Sequence, residues 1–350
     1  MKYWLRVGRL IYLSFPMAIL NANQITNPWF YITLFLVASL LMIWRLESMS
    51  DNGIDGTVLG TVVMPYCSGL GNLIFAFLLG NKGGSGAELM TNTLVNNVTN
   101  LTLLIGLPAL IWGMIIVPKG STGKKLRKRG EFRGGNKSSQ INRLSLLLTL
   151  TAVLFFSGAV WALASDGKID RGDGFVLIGL FLFWQCFQIF DVLKNNVRQN
   201  EVFSWRLLVD LALLGIGAYG IYISIDWLVD WLLQMKSGFI STKNLGLLSG
   251  WLMVLPNALL AIYYGWTKRP EIIYSSQVGD CHICIPLCAG IFALYHSISL
   301  PSSFQTGMLI LFGATIVHFF FVALFGRLPR IIGLILTASY GYFLYQGFLS

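Results

Sequence analysis

The chain has 350 residues, of which 55% are hydrophobic and 11% are charged, and its mean hydropathy is +0.68. A soluble domain normally carries about 25% charged residues, so this composition excludes an ordinary soluble protein and indicates several membrane spans. The formal net charge of +10 does not indicate nucleic acid binding, because nine Lys and Arg residues are concentrated in one segment, 119–143.

The first 28 residues form a segment of their own. Three basic residues precede a short apolar run, 10–20, which is shorter than the roughly 20 residues that a spanning helix needs. The segment resembles a signal peptide, and an interfacial or tilted helix is the alternative.

Ten longer apolar segments follow, and we predict an all-α, polytopic membrane protein with about ten transmembrane helices. The predicted spans are 29–45, 57–80, 88–117, 143–164, 173–193, 203–224, 240–265, 273–297, 304–326 and 331–349. Alternate loops are rich in Lys and Arg, which places the 119–143 loop in the cytoplasm and the protein in the cell (inner) membrane.

The two halves of the chain share a pattern of apolar spans and polar positions. The corresponding residues are Asn72, Asn100 and Gly106 in the first half and Asn257, Cys284 and Gly290 in the second. Asn72 and Asn100 are 28 residues apart, and Asn257 and Cys284 are 27 apart. In both halves the glycine follows six residues later. Because each half has five spans, the halves insert in opposite orientations. Each half also contains an apolar span that we expect to be interrupted by Gly or Pro, near Pro256 in the second half, and such paired interruptions in an inverted repeat indicate a binding site near the bilayer midplane.

These boundaries divide the chain into an N-terminal segment, two repeats and a loop. The units are 1–28, the signal-like or interfacial segment; 29–118, the first repeat core; 119–142, the basic cytoplasmic loop; 143–202, the end of the first repeat; and 203–350, the second inverted repeat.

A polar stripe runs through the third span. Residues 93, 96, 97 and 100 fall on one helix face, because side chains three and four apart line up. Amides facing lipid are costly, so we expect this face to contact protein, water or a ligand. Hydrogen bonds between helices, worth roughly 1 kcal/mol each, are the structural alternative.

Short segments in both halves have the order and spacing of motifs from one transporter superfamily. They are VLGTVV at 58–63, CSGLGN at 67–72, NTLVNNVTN at 92–100, DGKIDRGDG at 166–174, LPN at 255–257 and GDCHIC at 279–284. Through them the chain resembles the cation/calcium antiporter superfamily, the sodium/calcium exchangers and their relatives, from residue 29 onward. The resemblance implies a transporter whose two inverted repeats enclose an ion site.

In that family a Glu in each repeat binds calcium and sodium, together with an acid or amide from the next helix. This chain has Asn72, Asn100, Asn257 and Cys284 at these four positions and so lacks a carboxylate there. Asp280 lies one helical turn before Cys284, on the same face. Calcium prefers 6–8 oxygen ligands and binds more tightly as ligand charge rises, so a calcium site like the family's is doubtful.

The sequence leaves several ligands open at this site. The predicted ion-binding residues are Ser68, Asn72, Asn97, Asn100, Asn257, Asp280 and Cys284. Sodium, calcium or a proton could be the ion, and Asp280 or His282 could carry the proton. Cys281, His282 and Cys284 form an alternative soft-metal set, although a joint site would need unwound backbone because they point in different directions on a helix.

We therefore expect a secondary transporter that moves small inorganic cations across a lipid bilayer without a cofactor. The alternative is a membrane scaffold or sensor that keeps the antiporter fold without transporting. An enzyme is not expected, because His-Glu-x-x-His, Ser nucleophile motifs and paired intramembrane acids are missing from the sequence.

The orientation can be tested with a reporter fused within 119–143. We expect a reporter that is active only in the cytoplasm to give a signal, because the nine basic residues there resist translocation. A reporter that is active only on the opposite side serves as the control, and a signal from it would overturn the orientation.

Overall fold

The computed structural model describes residues 27–51, 64–116, 135–196 and 205–349. Most of the predicted N-terminal segment, the start of the second span and 119–134 of the basic loop lie outside the described residues. The helices are α1 (Pro28–Asp51), α2 (Met64–Asn81), α3 (Gly86–Leu101), α4 (Leu103–Trp112), α5 (Gly135–Leu163), α6 (Arg171–Asn196), α7 (Trp205–Gln234), α8 (Leu245–Trp266), α9 (Pro270–Ala293), α10 (Phe304–Phe325) and α11 (Arg330–Leu349). The strands are β1 (Met114–Ile115), β2 (Lys168–Ile169), β3 (Ile298–Ser299) and β4 (Arg327–Leu328).

The helices reproduce the ten predicted spans. Eight segments in the described part of the chain are long and apolar enough to cross a membrane, and one of them, Gly86–Trp112, comprises α3 and α4. Helices α2 and α11 supply the other two spans. The prediction of an all-α polytopic membrane protein is therefore confirmed.

The helix breaks differ from those expected. We predicted an interruption near Pro256, but α8 is continuous through it. Instead the third span is broken at Thr102, where the side-chain hydroxyl and the backbone N–H both bond to the Val98 carbonyl. His318 Nε2 lies 2.8 Å from the Leu101 carbonyl oxygen and donates to it, which satisfies a backbone acceptor at the break.

Two short antiparallel ribbons tie the repeats together. Strand β1 pairs with β4, and β2 pairs with β3. Strands β1 and β3 each follow the third span of their repeat, which carries the polar residues. Strands β4 and β2 each lie between the last two spans of the opposite repeat. With ten alternating spans, the ribbons lie on opposite sides of the membrane, as an inverted repeat requires.

Glycines form a matching pair of close helix contacts. A methyl group on Gly106 would lie 2.9 Å from the Gly333 carbonyl oxygen, between α4 and α11. A methyl group on Gly290 would lie 3.3 Å from the Gly174 carbonyl oxygen, between α9 and α6. Because small residues allow membrane helices to approach closely, these two glycines of the repeated pattern fix equivalent interfaces in the two halves.

Helix α9 lies at the centre of the fold. It packs against α2, α3, α5, α6 and α8 and is the most buried of the apolar spans. Helices α1 and α7 form an antiparallel pair at the periphery, where the rings of Tyr31 and Trp227 stack 4.2 Å apart. An ion pair of 3.3 Å between Arg45 and Asp210 joins the other end of the pair, so Asp210 has a structural role.

Charged contacts join the two halves at the edge of the membrane opposite the basic loop. Glu88 accepts the Gly246 N–H at 2.5 Å and so caps the start of α8. Lys82 contacts Asp226 at 2.6 Å and Asp230 at 2.7 Å. Burial lowers the pKa of Lys82, but hydrogen bonds and charge from the two aspartates outweigh it, so the pKa is raised.

The loop 166–174 forms a cap at the start of α6. Asp170 accepts the N–H groups of Gly172 and Asp173, and Asp173 in turn accepts the N–H of Asp170. This reciprocal arrangement is a capping box at the start of α6. The N–H groups of Asp173 and Gly172 hold the pKa of Asp170 below its ordinary value.

Close packing between α3 and α8 can be tested at Gly246. A methyl group there would press against the Glu88 carbonyl oxygen and lie 2.7 Å from Thr91. We expect Gly246→Ala to lower the free energy of unfolding by about 1–3 kcal/mol, measured by thermal unfolding in detergent. Gly179→Ala, with nothing within 4 Å of the added carbon, is the control and should leave stability equal or higher. Equal unfolding free energies of the two variants would contradict the close packing of α3 against α8 at Gly246.

Candidate functional site

The candidate site is centred on Asp280, in the middle of α9. The residue is fully buried, although carboxylates are rarely buried without a charged partner. Ion pairs among the described residues are Arg45–Asp210 and those of Lys82, and none reaches Asp280. Neutral side chains from α2, α3, α8 and α9 itself surround the carboxylate instead.

One carboxylate oxygen, Oδ2, is held by three amides. The Nδ2 atoms of Asn100, Asn96 and Asn257 lie 2.7, 3.0 and 3.3 Å from it. Asn96 and Asn100 are one turn apart on α3, and Asn257 comes from α8 in the other repeat. Hydrogen bonds to a charged acceptor contribute about 1.5–3 kcal/mol each, so the three amides offset part of the cost of burying the charge.

The other oxygen, Oδ1, has weaker contacts and faces α2. Ser68 Oγ lies 3.5 Å from it, and Cys284 Sγ, one turn along α9, lies 3.6 Å from it. A side chain on Gly69 would place its first carbon 3.0 Å from both Asp280 Oδ1 and Cys284 Sγ. The absence of a side chain at position 69 therefore lets α2 approach this oxygen closely.

Several buried amide oxygens on α2, α3 and α8 accept no hydrogen bond from the described residues. They belong to Asn72, Asn92, Asn96, Asn97, Asn100 and Asn257. A carboxylate can only accept, so the amides that contact Asp280 must direct their N–H groups towards it and their oxygens elsewhere. Buried acceptors without donors are rare, and such oxygens are suitable ligands for a cation.

The predicted ion-binding residues fall into two groups. Ser68, Asn100, Asn257 and Cys284 contact Asp280 directly. Asn72 is 1% exposed and lies one turn after Ser68 on α2, and neither of its amide atoms has a described partner. Asn97 donates to the Thr93 carbonyl of its own helix at 2.7 Å rather than to the carboxylate.

The soft-metal alternative finds no support in the structure. Helix α9 is continuous through Cys281, His282 and Cys284, so the backbone is not unwound there. Cys281 Sγ contacts the Asn97 carbonyl, whereas Cys284 faces Asp280. In the part of the chain that the structure describes, no group of three or more His, Cys, Asp and Glu side chains could hold a metal ion.

Two residues of the site were not among those predicted from the sequence. Asn96 lies in the polar stripe together with Asn97. Which of the two contacts Asp280 depends on how α3 is rotated against α9. Gly69 lies in the motif that carries the resemblance, yet a missing side chain carries no chemical signal. Asn96 lies four residues, or one helical turn, before Asn100, and this spacing was the available sequence signal for Asn96.

Comparisons with known proteins agree with this architecture. The family model for the sodium/calcium exchanger protein matches residues 29–190 and 209–348. Solved structures of the sodium-calcium exchanger NCX_Mj, soaked with different amounts of Na⁺, Ca²⁺ and Sr²⁺, share the fold. One, soaked with 2.5 mM Na⁺ and 1 mM Sr²⁺, has a TM-score of 0.62 at 18% identity and covers 92% of this chain and 99% of its own. Another, soaked with zero Na⁺ and Ca²⁺, has a TM-score of 0.59 at 19% identity and covers 89% and 96%.

No curated protein matches the chain. The family model nevertheless spans both repeats, including the helices that build the Asp280 site. The chain therefore belongs to the sodium/calcium exchanger family.

Proposed function

We propose that the protein is a secondary transporter that moves small inorganic cations by alternating access, with Asp280 as its essential charge. The observation that carries the proposal is the complete burial of Asp280 among neutral amides contributed by both repeats. A membrane carboxylate is costly to retain and typically marks an ion pathway. A site shared by two inverted repeats can be exposed to either side as one repeat moves against the other.

The geometry favours a transporter over an enzyme. The groups around Asp280 are amides, a hydroxyl and a thiol, and none forms a nucleophile–base pair with a third orienting group. In the orientation we propose, the basic 119–143 loop lies in the cytoplasm and the protein resides in the cell membrane. The repeats then comprise 29–202 and 203–350, with the basic loop inside the first.

The first test is cation flux in proteoliposomes that contain wild-type protein or Asp280→Asn. We expect the variant to lose transport, because Asn keeps the side-chain volume and removes the charge that compensates the ion. Asp166→Asn, an exposed acid in the loop before α6, is the matched control and should transport normally. Monodisperse elution of each variant verifies folding.

Two outcomes would contradict the proposal. Undiminished flux by Asp280→Asn would show that the charge is dispensable. Absence of flux from the wild type for every cation tried, including Na⁺, K⁺ and Ca²⁺, would favour the alternative of a membrane scaffold or sensor built on the same fold.

A second prediction concerns pH. Protons and cations compete for one carboxylate, so we expect the apparent affinity for the cation to weaken as pH falls and the uptake rate to recover when the cation concentration is raised. The measurement is initial uptake rate against cation concentration at several pH values. A fall in maximal rate that cation cannot overcome would contradict competition at Asp280.

A further inference from the structure

The charge and the oxygen atoms around Asp280 restrict which ion the site accepts. The five side chains in contact with the carboxylate are neutral: Ser68, Asn96, Asn100, Asn257 and Cys284. The site therefore carries one negative charge. A monovalent cation would make it neutral, whereas a divalent cation would leave a net positive charge where all of these groups but Ser68 are buried.

The two carboxylate oxygens are not equivalent as ligands. Oδ2 already accepts three N–H groups, and a cation there would be repelled by these donors. Among the described residues, the hydrogen-bonding contacts of Oδ1 are the long ones from Ser68 and Cys284. An incoming cation therefore meets the fewest competing donors at Oδ1, on the side of α2.

Helix α2 offers oxygen ligands on that side and packs close to Oδ1. Ser68 Oγ already lies beside Oδ1, and the Asn72 amide oxygen, one turn further along, is buried without a described donor. Gly69 lies between them and contributes no side chain. A buried amide that has no partner on either atom among the described residues points to a bound ligand.

We propose that the site binds a single monovalent alkali cation between Asp280 Oδ1 and the α2 face formed by Ser68, Gly69 and Asn72. Asn96, Asn100 and Asn257 are positioning residues that hold Oδ2 and aim the carboxylate at this face. The inference rests on the proposed function for its place in transport, but binding can be measured without transport.

The test is equilibrium binding to purified full-length protein in detergent, with Na⁺, Li⁺, K⁺ and Ca²⁺ each titrated alone and Ca²⁺ titrated against bound Na⁺. We expect at least one monovalent cation to bind with one ion per chain, and Ca²⁺ not to displace it at equal concentration. Asp280→Asn and Gly69→Ala should each weaken binding at least tenfold. Gly158→Ala, where the added carbon meets nothing within 4 Å, is the control for glycine replacement.

A gain of function keeps the proposal testable if the loss variants fold poorly. Asn72→Asp adds a second carboxylate on the α2 face, so we expect Ca²⁺ binding to appear or to strengthen at least tenfold. Asn92→Asp, on α3 beside Ser249, is the matched control and should show no such gain.

The outcomes separate this inference from the proposed function. Saturable Ca²⁺ binding by the wild type, no binding of any monovalent cation, or equal Ca²⁺ gains in Asn72→Asp and Asn92→Asp would each overturn the monovalent site. Monovalent binding without flux in liposomes would overturn transport and leave the site intact. Calcium flux without monovalent binding would overturn the monovalent site and leave transport intact.

Discussion

A single buried carboxylate imposes the central constraint on this molecule. Asp280 is removed from water at the point where α2, α3 and α8 meet α9, and no cationic side chain among the described residues neutralises it. Burying an ion costs several kcal/mol even after the protein relaxes around it. The amides of Asn96, Asn100 and Asn257 reduce that cost by hydrogen bonding, but dipoles do not cancel a charge.

The rest of the fold can be understood as support for this arrangement. The two β-ribbons and the matched glycine contacts, Gly106 with Gly333 and Gly290 with Gly174, hold the repeats in one register. Only with that register fixed can an amide of α3 and an amide of α8 reach the same carboxylate oxygen. The break at Thr102 lies just after Asn100, and His318 bonds to the Leu101 carbonyl there, so this backbone acceptor is not left unpaired at the end of the polar stripe.

Membership in the sodium/calcium exchanger family and the chemistry of the site lead to different expectations. The fold and the family model agree over both repeats. From the resemblance we predicted that Asn72, Asn100, Asn257 and Cys284, which are all neutral side chains, occupy the family's ligand positions. Since ion selectivity depends on the number and charge of ligands rather than on the scaffold, the same architecture is compatible with a different ion.

Much of the fold was predictable from the sequence, because hydropathy and loop charge act locally and the repeat appears as a spacing. These patterns predicted the membrane class, the ten spans and the inverted halves, and they indicated Asp280 as a candidate site residue. They placed Pro256 at a break that does not occur, since a proline removes one hydrogen bond without ending a well-packed helix. Boundaries also moved where tertiary contacts extended a helix, as in α7, which continues to Gln234 and pairs Asp226 and Asp230 with Lys82.

Only the tertiary structure decided how the site is arranged. Asn96 rather than Asn97 contacts Asp280, although both lie in the same stripe, because the rotation of α3 about its axis is set by packing against α8 and α9. The division of the carboxylate into an anchored Oδ2 and an open Oδ1 depends on contacts between residues 180 or more positions apart. A sequence determines which groups are available to a site, whereas the directions in which those groups point follow from helix packing across the whole chain.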